Sequence, residues 1–321
     1  MIKKICSMLL SILFLFHGVH GESENVNKEI TQTSILGSVS ETDAYVNYKS
    51  FFKHVEGSFI IPGLLTDMCP QGMCKAGDNI LISAYDPYKE ADSCIYVLDM
   101  DGKYLKTVRI KNNKSHVGGL AFDGEYVYTS NSTTSSITKI ALDDILATEN
   151  EGNVKHVNLD IRNKKGKEFR ASQCTYDEKN DILWVGIYEV LPQGYACGYK
   201  IQGNRAELVA NMEIPRFVQG LITIDDELYC SSSYGVFTPS HIRKYEIVEE
   251  DVEDGIRNFT YKNEQEFDID VPPGIENIFI NDGCIYTLFE TASDQFYNNA
   301  HKSFLIPAFD PVDRVCKYKL N

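Results

Sequence analysis

From residue 51 onward the chain alternates short apolar runs with polar turns. Each run is a few residues long and rich in β-branched and aromatic side chains, as in residues 80–84, which follow the turn Gly77-Asp78-Asn79. Short runs of this kind, bounded by glycine and aspartate, are typical of strands joined by tight turns. The pattern therefore predicts an all-β domain.

The runs recur in five copies. In each copy an anchor residue leads into an apolar run, a turn and a second apolar run, and a third run follows after a polar loop. The anchors are Gln71, Gly118, Gln173, Gln219 and Glu276. They are 47, 55, 46 and 57 residues apart, a spacing within the range of propeller blades and longer than most helical repeats. Copies one and three show a fourth run, at residues 104–110 and 206–214, which completes a four-stranded antiparallel unit.

The fifth copy contains only three runs before Asn321, and residues 51–62 contain one strand-like run with no partner of its own. If that run becomes the outer strand of the last blade, no sheet edge stays exposed where the two ends of the chain meet. We therefore predict a five-bladed β-propeller closed by an N-terminal strand. The alternatives are a six-bladed ring and a two-sheet sandwich, but residues 22–50 are too polar to supply a sixth blade.

The first residues have the features of an export signal. Lys3 and Lys4 precede an apolar run at residues 5–16, and Val19-His20-Gly21 offers a cleavage site. The run is too short for the ~20 residues that cross a bilayer. We expect a signal peptide at residues 1–21, a flexible lead-in at 22–50 and a propeller domain at 51–321. The mature protein is then secreted, without membrane insertion, and we expect a monomer.

Composition and charge exclude several classes of protein. The 321 residues are 43% hydrophobic and 24% charged, which fits a folded globular domain. Lys and Arg number 31 against 46 Asp and Glu, for a formal net charge of -15. A surface of this charge repels polyanions, so a nucleic-acid partner is not expected.

The cysteines favour buried thiols over a disulfide framework. Cys174, Cys230 and Cys284 lie inside apolar runs, where a free cysteine behaves as a small buried hydrophobe. Cys69 and Cys74 flank a Pro-Gln-Gly segment that we interpret as a turn, and they are the pair best placed for a disulfide. No CxxC motif with a matching second pair supports a zinc site.

Several short segments resemble those of exported bacterial β-propeller proteins without an assigned activity. The segments are residues 61–64 (IPGL), 69–72 (CPQG), 95–99 (IYVLD), 116–119 (HVGG), 183–186 (LWVG) and 288–290 (LFE). The resemblance covers most of residues 55–320 and implies a propeller fold. A second similarity, to streptogramin lyases and gluconolactonase-like enzymes, concerns architecture alone, and fold does not imply function. Neither resemblance supplies a motif from which catalytic residues can be carried over.

A ligand face can be predicted from propeller geometry. The innermost strand of each blade starts on the face that also carries the loop between the second and third strands. The residues at the strand starts on this face are Gln71, His116, Gln173, Gln219 and Glu276, where His116 takes the place of the anchor Gly118 in the second copy. The ends of the second strands add Tyr85, Asn131, Glu189, Tyr234 and Glu290. Long loops connect these strands, and loops on a rigid scaffold commonly carry binding specificity.

The chemistry of this ring is dominated by amides. Three glutamines offer donors and acceptors without charge, and Tyr85 and Tyr234 can stack on a sugar or a peptide group. The ring predicts recognition of a hydroxyl-rich or amide-containing ligand, which can be a small molecule, a glycan or a peptide. The alternative is that the glutamines only bond to neighbouring blades or to water in the channel.

A catalytic interpretation rests on His116, Glu276 and Glu290. Carboxylates in different surroundings can share proton transfer, and oxygen-rich sites accept calcium, so a metal-dependent hydrolase, lactonase or lyase is the alternative function. No cofactor or metal-ligand set is assigned. The GxSxG, HExxH, GxGxxG and P-loop signatures are absent from the sequence. The sequence therefore leaves open whether the protein is an enzyme.

Overall fold

A computed structural model describes residues 30–191, 193–266, 270–298 and 306–320. The predicted signal peptide lies outside the described residues. The regular structure of the described residues is mostly β, arranged in several mainly antiparallel sheets. Among these residues, no helix has the length and apolar character that crossing a bilayer requires.

The strands form successive antiparallel units along the chain. The first strand, β1 (Val55–Ile60), precedes the first unit. That unit contains β2 (Cys69–Ala76), β3 (Asn79–Tyr85), β4 (Cys94–Asp99) and β5 (Tyr104–Arg109). The second contains β6 (Val117–Phe122), β7 (Tyr126–Asn131), β8 (Ser136–Ala141) and β10 (Val157–Asp160), and the short β9 (Gly152–Asn153) lies parallel to β5.

The later units follow the same order. The third contains β11 (Gln173–Asp177), β12 (Ile182–Gly186), β13 (Gly194–Gln202) and β14 (Arg205–Ile214). The fourth contains β15 (Val218–Ile224), β16 (Glu227–Ser232), β17 (His241–Glu253) and β18 (Ile256–Glu266), and it joins the third through parallel pairing of β14 with β18. The fifth contains β19 (Ile275–Asn281), β20 (Cys284–Phe289) and β21 (Arg314–Lys319).

The first strands of the units contact one another in a ring. β2 lies against β6, β6 against β11, β11 against β15, β15 against β19, and β19 against β2. Apolar clusters fill the space between neighbouring units, as where Trp184 and Met212 of one unit pack with Leu228 and Cys230 of the next. The protein therefore has a propeller-like, all-β architecture.

The N-terminal strand pairs with the last unit. β1 lies antiparallel to β21, with Ser58 opposite Cys316 and Phe59 opposite Val315. The expected pairing of the run within residues 51–62 with the end of the chain is thus present. It leaves β21 covered on both sides, by β1 and by β20.

Glycines allow the first strands to approach closely. A Cβ atom on Gly118 would lie 1.7 Å from the carbonyl oxygen of Ser172, and one on Gly72 would lie 2.5 Å from the carbonyl oxygen of Gly118. Ser83 Oγ adds a hydrogen bond across the same junction, to the carbonyl oxygen of Val117 at 2.9 Å. The first strands of neighbouring units therefore lie too close together for any side chain at positions 72 and 118.

The described part of the predicted lead-in contains short helices. After a short 3-10 helix (Val39–Glu41), two short helices, α1 (Asp43–Asn47) and α2 (Lys49–Lys53), pack against the last unit. Ala44 and Tyr48 are buried there, one helical turn apart. The few apolar side chains of this segment lie on one face of a helix, and the polar composition of the whole segment does not reveal that face. A further short helix, α3 (Leu142–Ala147), lies between β8 and β10.

The cysteines outside the predicted signal peptide are all buried and free. These are Cys69, Cys74, Cys94, Cys174, Cys197, Cys230, Cys284 and Cys316. The suggested pairing of Cys69 with Cys74 is wrong, because the Pro-Gln-Gly segment lies inside β2 and not in a turn. The extended strand separates the two thiols, and they pack into different apolar clusters.

We expect eight free thiols when the protein lacking residues 1–21 is denatured without reductant, and few or none under native conditions. All eight thiols are buried, and burial raises the pKa of Cys174 to about 12 and that of Cys94 to about 11, so reagent access is blocked and these two thiols stay protonated. Thiol titration with and without denaturant measures both values. Four or fewer thiols in the denatured sample would contradict this arrangement.

Candidate functional site

A polar cavity of about 1080 Å³ opens on the face where the first strands begin. Five of the predicted site residues line it, namely Gln71, His116, Glu189, Gln219 and Glu276. The cavity wall also includes hydroxyl groups from the second unit, at residues 132–135, and the ring of Tyr188. The structure therefore brings half of the predicted ligand face together around one opening.

β-Bulges turn three of these side chains toward the channel. The pairing register of the first strand shifts between Pro70 and Gly72, between Val218 and Gly220, and between Ile275 and Asn277. Each shift leaves one residue unpaired with the second strand, and those residues are Gln71, Gln219 and Glu276. A bulge of this kind re-aims a side chain and is common beside functional sites.

Gln173 does not reach the cavity, although the repeat predicts it there. β11 has a regular register in which Gln173 lies opposite Gly186, so no bulge turns its side chain. The side chain is fully buried next to Gly186, where the missing Cβ leaves room for the amide. Neither amide atom has a hydrogen-bond partner within the described part of the chain.

Beside Glu276, which lines the cavity, lies a second buried carboxyl group, that of Glu290. Glu276 and Glu290 are 5% and 9% exposed and are hydrogen-bonded to each other. Gln219 Nε2 donates to Glu276 Oε1 at 2.9 Å, and Gln71 Nε2 donates to Glu290 Oε2 at 3.1 Å. We call Glu276 and Glu290 the carboxyl pair.

Burial raises the pKa of both members of the carboxyl pair. The pKa of Glu290 rises to about 7, and that of Glu276 rises well above its ordinary range because burial is joined by the nearby charge of Glu290. The charges that act on the pair include no lysine or arginine of the described residues. The pair therefore retains a proton near neutral pH, like two carboxyl groups that share one site.

His116 extends this hydrogen-bonded chain. Its Nε2 bonds to Gln71 Oε1, and the ring of Tyr85 packs on it with centroids 4.2 Å apart. Burial lowers the pKa of His116 to about 4, so the ring is neutral near pH 7. A neutral ring that donates from Nε2 to the amide oxygen lets the Gln71 amide nitrogen donate to Glu290.

Two predicted tyrosines lie beside the cavity without lining it. Tyr85 lies behind His116, and its hydroxyl donates to Gln295 Oε1 at 3.3 Å. Burial raises the pKa of Tyr85 far above its ordinary range. Tyr234 lies at the rim and is 56% exposed.

Sequence reasoning missed several residues around the site. Cys69 Sγ donates to Glu290 Oε2 at 3.7 Å and accepts from Ser293 Oγ at 3.4 Å. Its thiol is buried, which raises its pKa, and it supports the carboxyl pair from behind. Its position two residues before the Gln71 anchor could have suggested this proximity.

The rim carries three aromatic rings, which we call the aromatic rim: Tyr188, Phe217 and Tyr234. The rings of Phe217 and Tyr234 meet edge to face at 5.0 Å, and those of Tyr188 and Phe217 lie 6.5 Å apart. Phe217 has φ of 62°, a left-handed conformation that costs a bulky residue about 1–3 kcal/mol. The surrounding structure thus holds this ring in place against local strain.

The described residues do not assemble a metal site. In the ranges given above, no three His, Cys, Asp or Glu side chains group closely enough to hold an ion. His116 contacts Gln71 and not the carboxyl pair, which separates the three residues suggested for metal-dependent catalysis. Calcium binding stays a prediction of the sequence.

Comparisons with known proteins identify no family. No family model matches the chain, and no curated protein matches it in sequence. Among solved structures, it is similar to glutaminyl cyclase of Myxococcus xanthus, with a TM-score of 0.49, 12% identity, and coverage of 84% of this chain and 96% of that one. Hydrazine synthase of Kuenenia stuttgartiensis has a TM-score of 0.41 and 9% identity, with 69% and 56% of the two chains covered. A chain of a nidogen/laminin complex has a TM-score of 0.41 and 10% identity, with 70% and 73% covered.

Proposed function

We propose that the protein is an exported, five-bladed β-propeller that binds a hydroxyl-rich or amide-rich ligand, such as a glycan or a peptide, in the polar cavity. The observation that carries this proposal is the convergence of Gln71, Gln219 and Glu276, each at a β-bulge, on one opening. Uncharged donors and acceptors fixed in one cavity are what specific recognition of such ligands needs.

The proposed blade count rests on the units and their order. Four units have four consecutive main strands, and the fifth has three together with β1. The contacts among the first strands return from β19 to β2, which supports closure of the ring after five blades. In this arrangement the N-terminal strand completes the last blade.

The charges around the cavity favour a neutral ligand. His116 is uncharged at neutral pH, and the carboxyl pair retains a proton. Lys89 and Arg170 line the cavity, but both are exposed, and two acidic side chains, Glu168 and Glu189, line it as well. The protein as a whole carries a formal charge of -15, which repels anionic ligands at long range.

Replacing Gln219 with alanine is expected to weaken ligand binding by roughly ten- to hundredfold, because a lost amide partner costs about 1–3 kcal/mol. The substitution removes the donor to Glu276 and one wall of the cavity. Binding to a panel of glycans, peptides and small molecules, measured by calorimetry, provides the test.

Gln173→Ala is the matched control, since Gln173 occupies the equivalent anchor position in the third blade but does not line the cavity. We expect its affinity to equal that of the parent. If no member of the panel binds the parent, the proposed function fails. If both variants lose affinity equally, the cavity is not the site.

A second candidate function is acid-base catalysis by the carboxyl pair. The observation that favours it is that Glu276 lines the cavity while its hydrogen-bonded partner Glu290 has a pKa of about 7, near the value that proton transfer at neutral pH requires. Glu276→Gln preserves the shape and removes the exchangeable proton. Under this function turnover of a bound compound collapses while binding persists, whereas under pure recognition no turnover is seen in the parent. Elemental analysis of the same preparation tests the calcium prediction.

A further inference from the structure

The aromatic rim forms a stacking surface that continues the wall of the cavity. Tyr188 and Gly235 line the cavity, and Tyr234 directly precedes Gly235 at the rim. With 56% of its surface exposed, the ring of Tyr234 is open to a ligand, while its contact with Phe217 at 5.0 Å fixes its orientation. A ligand in the cavity would therefore meet an aromatic face beside the amide groups.

Phe217 holds the ring of Tyr234 in position. Phe217 is held in its left-handed conformation by two backbone hydrogen bonds, from its N–H to Glu189 O at 2.9 Å and from Ser233 N–H to its own carbonyl oxygen at 3.0 Å. One side of its ring faces the Arg216 guanidinium at 5.4 Å, so Phe217 serves as a support and Tyr234 as the open surface. A strained aromatic residue persists where the surrounding structure requires its position.

The backbone of the rim is already hydrogen-bonded within the protein. Besides the two bonds of Phe217, the N–H of Tyr188 donates to Ser172 Oγ at 3.2 Å, and Tyr188 Oη donates to Ser233 O at 3.3 Å. Peptides commonly bind by pairing with free backbone groups of an exposed strand, and these groups are already paired. The rim thus offers ring faces and not a strand edge.

Sugar rings combine an apolar C–H face with hydroxyl groups around the edge. The face suits an aromatic ring, and the edge suits the neutral amides and hydroxyls of the cavity wall. The wall contributes Gln71, Gln219, Ser172 and the hydroxyls of residues 132–135. Two basic side chains, Lys89 and Arg170, and two acidic ones, Glu168 and Glu189, line the cavity and balance in charge, so an uncharged sugar fits better than a charged one.

Resting on the proposed function, we propose that Tyr234 and Tyr188, positioned by Phe217, form a stacking subsite for one sugar ring of a neutral oligosaccharide whose other residues lie in the polar cavity. The volume of about 1080 Å³ exceeds that of ordinary small-ligand pockets, about 300–1,000 Å³, which suits several linked sugars.

The test uses purified protein without residues 1–21 and four probes: neutral hexasaccharides of glucose, xylose, mannose and N-acetylglucosamine, with uncharged hexapeptides for comparison. We expect one of the saccharides to bind the parent. Tyr234→Ala should weaken that binding by about tenfold and Tyr234→Phe should not, because the ring and not its hydroxyl makes the contact. Phe309→Ala is the matched control, since Phe309 is also 56% exposed and also meets another ring edge to face, that of Phe237 at 5.2 Å.

Phe217→Gly gives a readout that a merely structural role would not produce. Glycine adopts the left-handed conformation freely, so the melting temperature should fall less than for truncation of an ordinary half-buried phenylalanine, while affinity falls as in Tyr234→Ala. Affinity that is equal in the parent, Tyr234→Ala and Phe217→Gly would overturn the stacking subsite. Binding of a hexapeptide but of no saccharide would also overturn it and leave the proposed function standing. If neither the saccharides nor the peptides bind the parent, and no member of the panel of glycans, peptides and small molecules binds it, then both the stacking subsite and the proposed binding function are wrong.

Discussion

A chain that starts at Gly63 is expected not to fold cooperatively, whereas a chain that starts at Ser38 should fold with reduced stability. The longer deletion removes β1, α1 and α2 and leaves the outer edge of β21 exposed. It also removes Phe51, which is fully buried and stacks on Tyr318 with centroids 5.7 Å apart. Each buried aromatic or aliphatic side chain contributes about 1.5–3 kcal/mol, so losing this set is comparable to the 5–15 kcal/mol that stabilises a typical domain.

The shorter deletion removes a set of hydrogen bonds around a buried carboxylate. Asp313 is 1% exposed, and its Oδ2 accepts from Ser34 Oγ at 2.6 Å and from the backbone N–H groups of Ile35 and Leu36 at 3.2 and 3.3 Å. Arg314 remains as a partner after the deletion. We expect a loss of about 2–4 kcal/mol, because a buried charge keeps only part of its hydrogen bonding.

Circular dichroism during thermal and urea unfolding measures both truncations against the protein without residues 1–21. Asp313→Ala in the longest of these chains should reproduce part of the loss seen on starting at Ser38, because the deletion also removes Gln32, whose amide donates to Ile60 O and accepts from the N–H of Tyr104. Combining the two changes should cost less than the sum of the two separate losses. Equal melting temperatures for the chains that start at Ser38 and Gly63 would rule out the structural role of β1.

The strands next to the core could be predicted from the sequence because burial imposes a pattern on them. The predicted run at residues 80–84 lies within β3, and each of the five anchor residues lies in the first strand of its unit. The turns between first and second strands could also be predicted, since Gly77, Asp181 and Asp282 adopt the positive φ that glycine and aspartate tolerate. These local signals identify strands and hairpins directly.

The outer strands of the second and fourth units could not be predicted in the same way. β10 follows a helix, α3, and has only one buried residue, Leu159. β18 extends with β17 into a long hairpin whose far end is largely exposed. A strand exposed on both faces has no apolar alternation, so its formation depends on pairing that the sequence does not reveal.

The candidate site was predictable in position but not in detail. The repeat locates Gln71, Gln219 and Glu276 at the same place in their units, and the structure brings them to one cavity. It also suggests Gln173, which fails only because β11 has no bulge. Bulges depend on the register between strands, and the contact between Glu276 and Glu290 depends on both strands of the last hairpin, so neither follows from spacing alone.

Replacing Glu290 with glutamine is expected to stabilise the protein at pH 8 and to have little effect at pH 5. Burial raises the pKa of Glu290 from 4.5 to about 7, so the folded protein holds this proton more tightly than the unfolded chain does. The stability from this group is therefore fully present below pH 4.5 and is lost as the pH rises through 7. A shift of this size corresponds to about 3 kcal/mol.

Glutamine keeps the shape of the side chain and cannot ionise, so the variant avoids that loss. Its oxygen can still accept from Gln71, and its amide can donate to Glu276, whose pKa should fall once the neighbouring charge is gone. Relative to the parent, we expect Glu290→Gln to gain about 2–3 kcal/mol between pH 5 and pH 8, measured by urea unfolding at intervals of half a pH unit.

His116 changes the stability with pH in the direction opposite to Glu290, and this contribution cancels when the variant is compared with the parent. Burial lowers its pKa from 6.5 to about 4, so its stability is present above pH 6.5 and is lost as the pH falls toward 4. In the parent this offsets part of the Glu290 effect between about pH 4.5 and 6.5, but the His116 contribution is common to parent and variant.

Glu168→Gln is the control, because it removes one carboxylate of the cavity wall whose side chain is 76% exposed, and its profile should stay parallel to that of the parent. If the profile of Glu290→Gln is also parallel to the parent from pH 5 to pH 8, the carboxyl pair does not hold a proton in the folded protein, and the acid-base role loses its physical basis.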